Sequence, residues 1–248
     1  MQTEFLVGIA GAFFVAGAVK GVAGLGLPVV AMGLLSLAMP PAGAAALVIV
    51  PGLATNVVQC LGPHARRLAL LLGPMWVGVL VGCRFTPLPS LASGASVVRM
   101  LLGGVLIVYS AYGLARPTFT LRLAGAPMVA ATSVVGLVTG VMTATTGINI
   151  FPMTIFLQSL DLRRDELIQA FGLSFTICTL ALANSLGWQS TMVTWTSAAG
   201  WIALVAAFCG LGLGNLVRAR IDPAQFRRML FGLFGILGLA MLAKELFR

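Results

Sequence analysis

Lys20 stands in the middle of an apolar N-terminal run, in the stretch GAVKGVAGLGLP, and this stretch holds the first residues that could do chemistry. Three glycines (Gly21, Gly24, Gly26) and Pro28 follow it within eight residues. Glycine lets a chain leave helical geometry. Proline suits the first turn of a new helix, where its missing N–H costs least. A helix restarting near Gly26–Pro28 would present free backbone N–H groups and the positive end of its dipole. Such an end binds anions, and Lys20 would add a full positive charge beside it. The chemistry implied is reversible binding of an anion.

A second stretch, GVMTATTGINIFP, has the same form. Gly17 and Gly24 are seven apart and Pro28 follows; Gly140 and Gly147 are seven apart and Pro152 follows, with one extra residue. Lys20 then aligns with Thr143 and Gly24 with Gly147, so one half alone supplies the strong charge. The helix after each stretch adds polar groups: Thr55, Asn56 and Gln59 in the first half, Gln169, Ser174, Thr176 and Thr179 in the second. The expected substrate-binding set is Lys20, Gly24, Gly26, Asn56, Gln59, Thr143, Thr145, Thr146, Gly147 and Asn149. Asn56 and Thr146 are expected to face the substrate, and Gly21, Pro28 and Pro152 act as the structural hinge. Competing readings exist for each feature. Glycines pack membrane helices closely and polar side chains bond between helices, and a lysine can snorkel to an interface.

The elements that must position these residues follow from composition. Of 248 residues, 59% are hydrophobic and 8% charged, with a mean hydropathy of +1.05. Soluble domains carry roughly 25% charged residues, so the solvent for this chain is lipid. The runs Ala42–Leu61, Leu68–Phe85, Val97–Leu114, Leu167–Leu186, Ser197–Val217 and Met229–Leu246 each suit one crossing of a ~30 Å hydrocarbon core. Phe5–Leu37 and Pro127–Leu160 are longer and interrupted. The order is broken run, three plain crossings, broken run, three plain crossings. RMLLGGVLIVYS and RMLFGLFGILGL match in the corresponding later helices, which supports a duplicated unit.

Broken near Gly21–Gly26, the first run gives a limb of roughly 22 Å and a shorter second limb, each less than a crossing. A hairpin entering and leaving on one side is the economical solution; a single tilted crossing competes. With hairpins, one side collects Arg66, Arg67, Arg116, Arg122, Arg163, Arg164, Arg218, Arg220, Arg227 and Arg228, and the other Arg84, Arg99, Lys244 and Arg248, ten against four. Single crossings reduce the bias to eight against six. The positive-inside rule favours the hairpins. The expectation is an all-α polytopic membrane protein with two inverted repeats, residues 1–120 and 121–248, forming one integral membrane domain. Each repeat is a re-entrant hairpin followed by three transmembrane helices, and the substrate is held at the midplane between the two broken helices.

Other function classes fit poorly. The net charge of +9 lies in short pairs at helix ends, as topology and headgroup contact require, and nucleic acid is not an expected partner. The four cysteines lie in or beside apolar runs without CxxC, and there is one histidine, His64, in a loop; no metal and no cofactor are expected. Serine–histidine chemistry would need a histidine in the membrane, and no aspartate pair exists there, so no enzyme is expected. GVAGLG lacks the strand and crevice of a dinucleotide site. No carboxylate lies mid-membrane to relay protons. Protons could still travel with the substrate or through Lys20, and proton coupling, exchange and uniport stay open, as does a homodimer. A passive anion channel and a membrane subunit of a larger transport complex are the alternatives to a carrier.

GAVKGVAGLGLPVVAMGLLSL…PPAGAAALVIVPGLATNVVQ, with its echo GLVTGVMTATTGINIFPMTIFLQSLDLRRDELIQAFGLSFTI, resembles the TauE/SafE sulfite exporter family, also called the toluene-sulfonate uptake permeases. The resemblance covers essentially the whole chain. The first motif, a glycine-rich turn, a proline and a helix containing Pro51 and Asn56, is the more specific; in the second, Asn149 answers Gly26. The resemblance implies a bacterial-type inner-membrane carrier of sulfite, sulfonates or related sulfur-containing or organic anions.

Overall fold

The computed structural model describes residues 2–91, 96–115, 120–121 and 123–246. Arg116, Arg122 and Arg248, counted in the charge bias above, lie outside the described residues. The described chain is helical throughout: α1 (Gln2–Ala23), α2 (Leu27–Ala38), α3 (Pro41–Cys60), α4 (Ala65–Arg84), α5 (Ser96–Ala115), α6 (Ala126–Thr146), α7 (Met153–Ser159), α8 (Arg164–Leu186), α9 (Trp188–Thr196), α10 (Ala198–Val217) and α11 (Pro223–Leu246). Eight of these are long and apolar enough to cross a membrane. Large apolar side chains such as Val58, Leu70, Val134, Trp201, Leu216 and Ile236 stand more than half exposed on the outside of the bundle. So much outward apolar surface suits lipid and not water. The protein is a multi-pass membrane protein.

Both interrupted runs are broken where the glycines and prolines indicate, but the first limbs are longer than expected. α1 has 22 residues and α6 has 21, about 33 and 32 Å at 1.5 Å per residue, so each can cross alone. α1 continues through Lys20 and Gly21 because the Gly24 N–H still bonds the Lys20 carbonyl and Gly21 is packed against α10. The second limbs are the short ones, with 12 residues in α2 and seven in α7. α9 is a further short helix between the second and third crossings of the second half, which the run-length reading did not contain.

Four glycine pairs set the closest helix contacts. A Cβ on Gly17 would lie 2.1 Å from the Ala207 carbonyl oxygen, and one on Gly21 2.5 Å from that of Leu211. Gly210 and Gly214 of α10 would meet the carbonyls of Phe14 and Ala18 in return. Gly78 and Gly82 of α4 face Ser133 and Leu137 of α6, and Gly136 and Gly140 face Met75 and Val79. Each pair is spaced four apart, the spacing that lets two helix backbones approach. In both contacts residue number rises together on the two helices, so α1 runs parallel to α10 and α4 parallel to α6.

The other pairings fix the remaining directions. Gly52 faces Thr179 while Gln59 faces Gly172, so α3 and α8 are antiparallel. Gly103 meets Gly238 and the Ser110 hydroxyl donates to the Phe231 carbonyl, so α5 and α11 are antiparallel. Trp76 Nε1 donates to Ser174 Oγ at 2.9 Å and Cys83 Sγ to the Ala181 carbonyl at 3.4 Å, so α4 runs with α8. The pattern maps onto itself when the two halves are exchanged: α1 packs on α10 and α6 on α4, while α3 pairs with α8 and α5 with α11.

One end of the bundle carries Arg66, Arg67, Arg163, Arg164, Arg218, Arg220, Arg227 and Arg228; the other carries Arg84, Arg99 and Lys244. At the basic end Arg67 is ion-paired to Glu166, whose other oxygen accepts the Arg163 N–H at 3.1 Å. Gln169 donates to the carbonyls of Cys60 and Gly62, both at 3.0 Å, and accepts the His64 N–H. The α3–α4 turn and the start of α8 therefore sit together at one face.

Gly210→Ala and Gly136→Ala are expected to destabilise the protein by about 1–3 kcal/mol each, because the added methyl meets a backbone oxygen that cannot retreat. Gly8→Ala and Gly212→Ala, where a Cβ meets nothing within 4 Å, should be neutral or mildly stabilising. Thermal unfolding of the detergent-purified variants checks the ordering; equal melting temperatures in all four would refute close backbone contact.

Candidate anion-binding site

The first break brings three elements together. α1 ends at Ala23, Gly24 and Gly26 adopt positive φ values of 77° and 106°, and α2 begins at Leu27 with Pro28 in its first turn. These φ values lie in the left-handed region that glycine enters without strain. Gly26 offers no side-chain cap to α2, so the Leu27 and Val29 N–H groups lack intrahelical acceptors. Beside this turn runs the last part of α3. Gln59 Nε2 donates to the Gly24 carbonyl at 2.7 Å and holds the break against α3.

Lys20 is one turn before the break and only 4% exposed. Its ammonium donates to Thr55 Oγ1 at 2.9 Å and to Asn56 Oδ1. Thr55 and Asn56 are themselves buried. The Thr55 hydroxyl proton goes to the Pro51 carbonyl at 2.6 Å, which leaves its lone pairs for Lys20. No carboxylate pairs with Lys20 among the described residues. An ammonium carries three donors, so two neutral oxygens leave one N–H and a whole charge uncompensated. Removing a cation from water without an opposite charge is expensive. With its Oδ1 on Lys20, the Asn56 amide N–H₂ has no acceptor among the described residues. The cluster can therefore offer two kinds of donor, one charged and one neutral, to a negatively charged group.

The second break differs. Gly147 has a φ of 70°, and a Cβ there would come 2.9 Å from Met32 Cε in α2. Pro152 caps α7 from outside, and α7 is only seven residues long, so its dipole is short. The hydroxyl protons of Thr143, Thr145 and Thr146 go back to their own helix, to the carbonyls of Thr139, Val141 and Met142 at 2.7, 2.9 and 2.6 Å. With these protons committed, the hydroxyls can only accept from any further partner; Thr146 Oγ1 takes the Ile148 N–H at 3.2 Å. Asn149 is 2% exposed and its Oδ1 has no partner, and the same holds for Gln59 Oε1.

The sequence-derived residues thus fall into two groups. Lys20, Gly24, Gly26, Asn56 and Gln59 are brought together, with Thr55 as an added member. Thr143, Thr145, Thr146, Gly147 and Asn149 form a separate group against α2, and no hydrogen bond joins the two among the described residues. Gly21 lies inside α1 and not in the turn. By helical rise, Asn56 stands about 8 Å from the middle of α3 toward the basic end, and Thr146 about 15 Å from the middle of α6 toward the other.

A bundle of membrane-spanning helices with two broken helices, and a buried, uncompensated cation beside one break, belongs to the class of polytopic membrane transport proteins. The model of the TauE/SafE sulfite exporter family matches residues 9–241, and the chain belongs to that family. It is a family of membrane transporters and not of enzymes. No curated protein and no solved structure matches the chain.

Gly24→Val and Gly147→Val should each abolish transport in proteoliposomes while leaving assembled protein in the membrane, since a left-handed residue with a side chain costs roughly 1–2 kcal/mol and branching at Cβ adds to it. Gly147→Val should lower the melting temperature further than Gly24→Val, because only Gly147 has a side chain against it. Near-normal flux in both variants would make the two turns mere connections.

Proposed function

We propose that the protein is a secondary transporter for sulfur-containing or organic anions of the sulfite, sulfonate and sulfoacetate kind, acting in a bacterial-type inner membrane. The observation that carries this reading is Lys20: a buried ammonium bonded only to neutral oxygens, next to an uncapped helix start. An anion there takes the third Lys20 N–H and the Asn56 amide, with the first N–H groups of α2 within the same turn. Its charge removes the cost of the buried cation. A charge-assisted hydrogen bond is about twice as strong as a neutral one, so Lys20 dominates recognition. Gln59 contributes by fixing the Gly24 turn.

The transport path runs from this cluster past α2 toward the Thr143–Asn149 group, between two inverted repeats, residues 1–120 and 121–248. Three features support the inversion: the exchange symmetry of the helix pairings, the parallel contacts of α1 with α10 and of α4 with α6, and the antiparallel contact of α3 with α8. The positive-inside rule puts the arginine-rich end in the cytoplasm. Reporter fusions in the Arg66–Arg67 loop and in the Arg163–Glu166 loop should both report the cytoplasm; opposite sides would exclude the inverted arrangement.

Lys20→Met should weaken sulfite binding about tenfold to hundredfold, the equivalent of losing a charge-assisted contact of roughly 1.5–3 kcal/mol. Lys20→Arg keeps the charge but not the compact ammonium and should retain part of the affinity. Affinity measured in proteoliposomes at several salt concentrations, together with saturation and counterflow of sulfite, tests both the site and the carrier mechanism. Unchanged affinity in the methionine variant removes Lys20 from the site, and flux without counterflow replaces the carrier by a channel.

A further inference from the structure

A cavity of about 1170 Å³ opens at the basic end of the bundle, and none of the site residues named above lines it. Its walls come from the end of α1 (Ala23), α5 (Tyr112), α7 (Gln158) and three arginines on separate elements: Arg164 at the start of α8, Arg218 in the α10–α11 connection and Arg227 in α11. We propose that this cavity is a second anion site, a vestibule in which Arg164, Arg218 and Arg227 collect oxyanions of the sulfonate or sulfite type.

None of the three wall arginines is ion-paired among the described residues, although Asp161 and Asp165 flank Arg164 in sequence. Asp222, nearest in sequence to two of them, accepts the Ala224 and Gln225 N–H groups at 3.1 and 3.3 Å and so caps α11. Glu166, two residues from Arg164, is taken by Arg67. α8 and α11 begin at this end and α1, α5 and α10 end there, so the helix dipoles offset one another and the guanidinium groups supply the field. Like charges gathered around a cleft with apolar walls focus a field that raises the local concentration of the opposite ion by about tenfold or more. The cavity is far larger than one sulfite, so it concentrates anions and does not chelate one.

Its position gives the vestibule a role, and that role rests on the reading of Lys20 as the inner site. Ala23 on the cavity wall is three residues beyond Lys20, about 4.5 Å in helical rise. Residues from both breaks line the same space, Leu25 after the first and Ile155 after the second. Anions collected here are one helical turn from the buried ammonium. The same chemistry would suit the phosphate of an anionic lipid headgroup.

The test uses the full chain with Cys60, Cys83, Cys178 and Cys209 replaced by alanine and Ala23→Cys as the only thiol, reconstituted in phosphatidylcholine. The rates of labelling by anionic 2-sulfonatoethyl methanethiosulfonate and cationic 2-(trimethylammonium)ethyl methanethiosulfonate are compared. The anionic reagent should be favoured about tenfold at low salt, and salt should erase the preference. Arg164→Gln, Arg218→Gln and Arg227→Gln together should abolish it, and the three lysine substitutions should keep it. Gln158→Cys serves as a second labelling position should Ala23→Cys assemble poorly. A preference lost when phosphatidylglycerol is included identifies a lipid phosphate as the occupant; one that survives identifies a free anion. A ratio unaffected by the glutamine substitutions overturns the proposal. Lys20→Met separates the two sites: it should weaken sulfite binding while the part of the labelling preference that the three glutamine substitutions remove persists, so failure of the inner site and failure of the vestibule give different results.

Discussion

The structure is organised around the desolvation of one ammonium group. Lys20 lies inside a helix, inside a membrane protein, with two neutral oxygens for partners. Both partners come from one turn of α3, Thr55 and Asn56, and that turn is held to the break by Gln59 on the Gly24 carbonyl. The break, the uncapped start of α2 and the polar face of α3 are therefore one unit. Each member restricts the others. α1 can hold Lys20 there only because Gly17 and Gly21 remove the side chains that would push it away from α10. The glycine contact is the mechanical support of the charge.

The two halves share a frame but not a chemistry. Helix order, glycine pairs and helix directions correspond, and a glycine in the left-handed region ends α1 and α6 alike. The differences all leave the second half with fewer free donors. Thr143 replaces Lys20, α7 is little more than half the length of α2, and the threonine protons are committed to their own helix. Asn149 and Gln59 instead leave carbonyl oxygens buried and unpartnered, one in each half. These are acceptors, so they suit a proton-bearing group and not a bare anion. The free donors at Lys20 and Asn56 thus belong to the first half, while each half holds one such unpartnered acceptor.

Much of this was legible in the sequence because it depends on local rules. Apolar run length and sparse charge read out the membrane helices, glycine followed by proline read out both breaks, and arginine placement read out the basic end. Three features were not legible, each for a tertiary reason. The first limb runs on through Lys20 and Gly21 because α10 supports those residues, and local propensity alone would have ended it sooner. The arginine cavity unites Arg164 with Arg218 and Arg227, more than fifty positions further along the chain, and none of the three belongs to a motif. The threonine hydroxyls read as donors by residue type, but a threonine inside a helix readily returns its proton to the carbonyl four residues back. The spacing of Gly78 with Gly82 and of Gly210 with Gly214 was the unread signal for the parallel contacts.

Helix pairing also determines what an arriving anion can act on. α1 is bound most extensively to α10, and α3 to α8, so the Lys20 bonds to Thr55 and Asn56 bridge two helix pairs that are otherwise less closely joined. Without an anion, these bonds are the compensation available to the buried charge, and they tie the pairs together. On the reading proposed above, an anion takes the third N–H and the Asn56 amide, so it adds a further tie between α1 and α3 to the two bonds already there. A ligand that binds one arrangement shifts the population toward it only by its differential affinity. A tie between α1 and α3 that forms only with the anion would supply such a difference at Lys20.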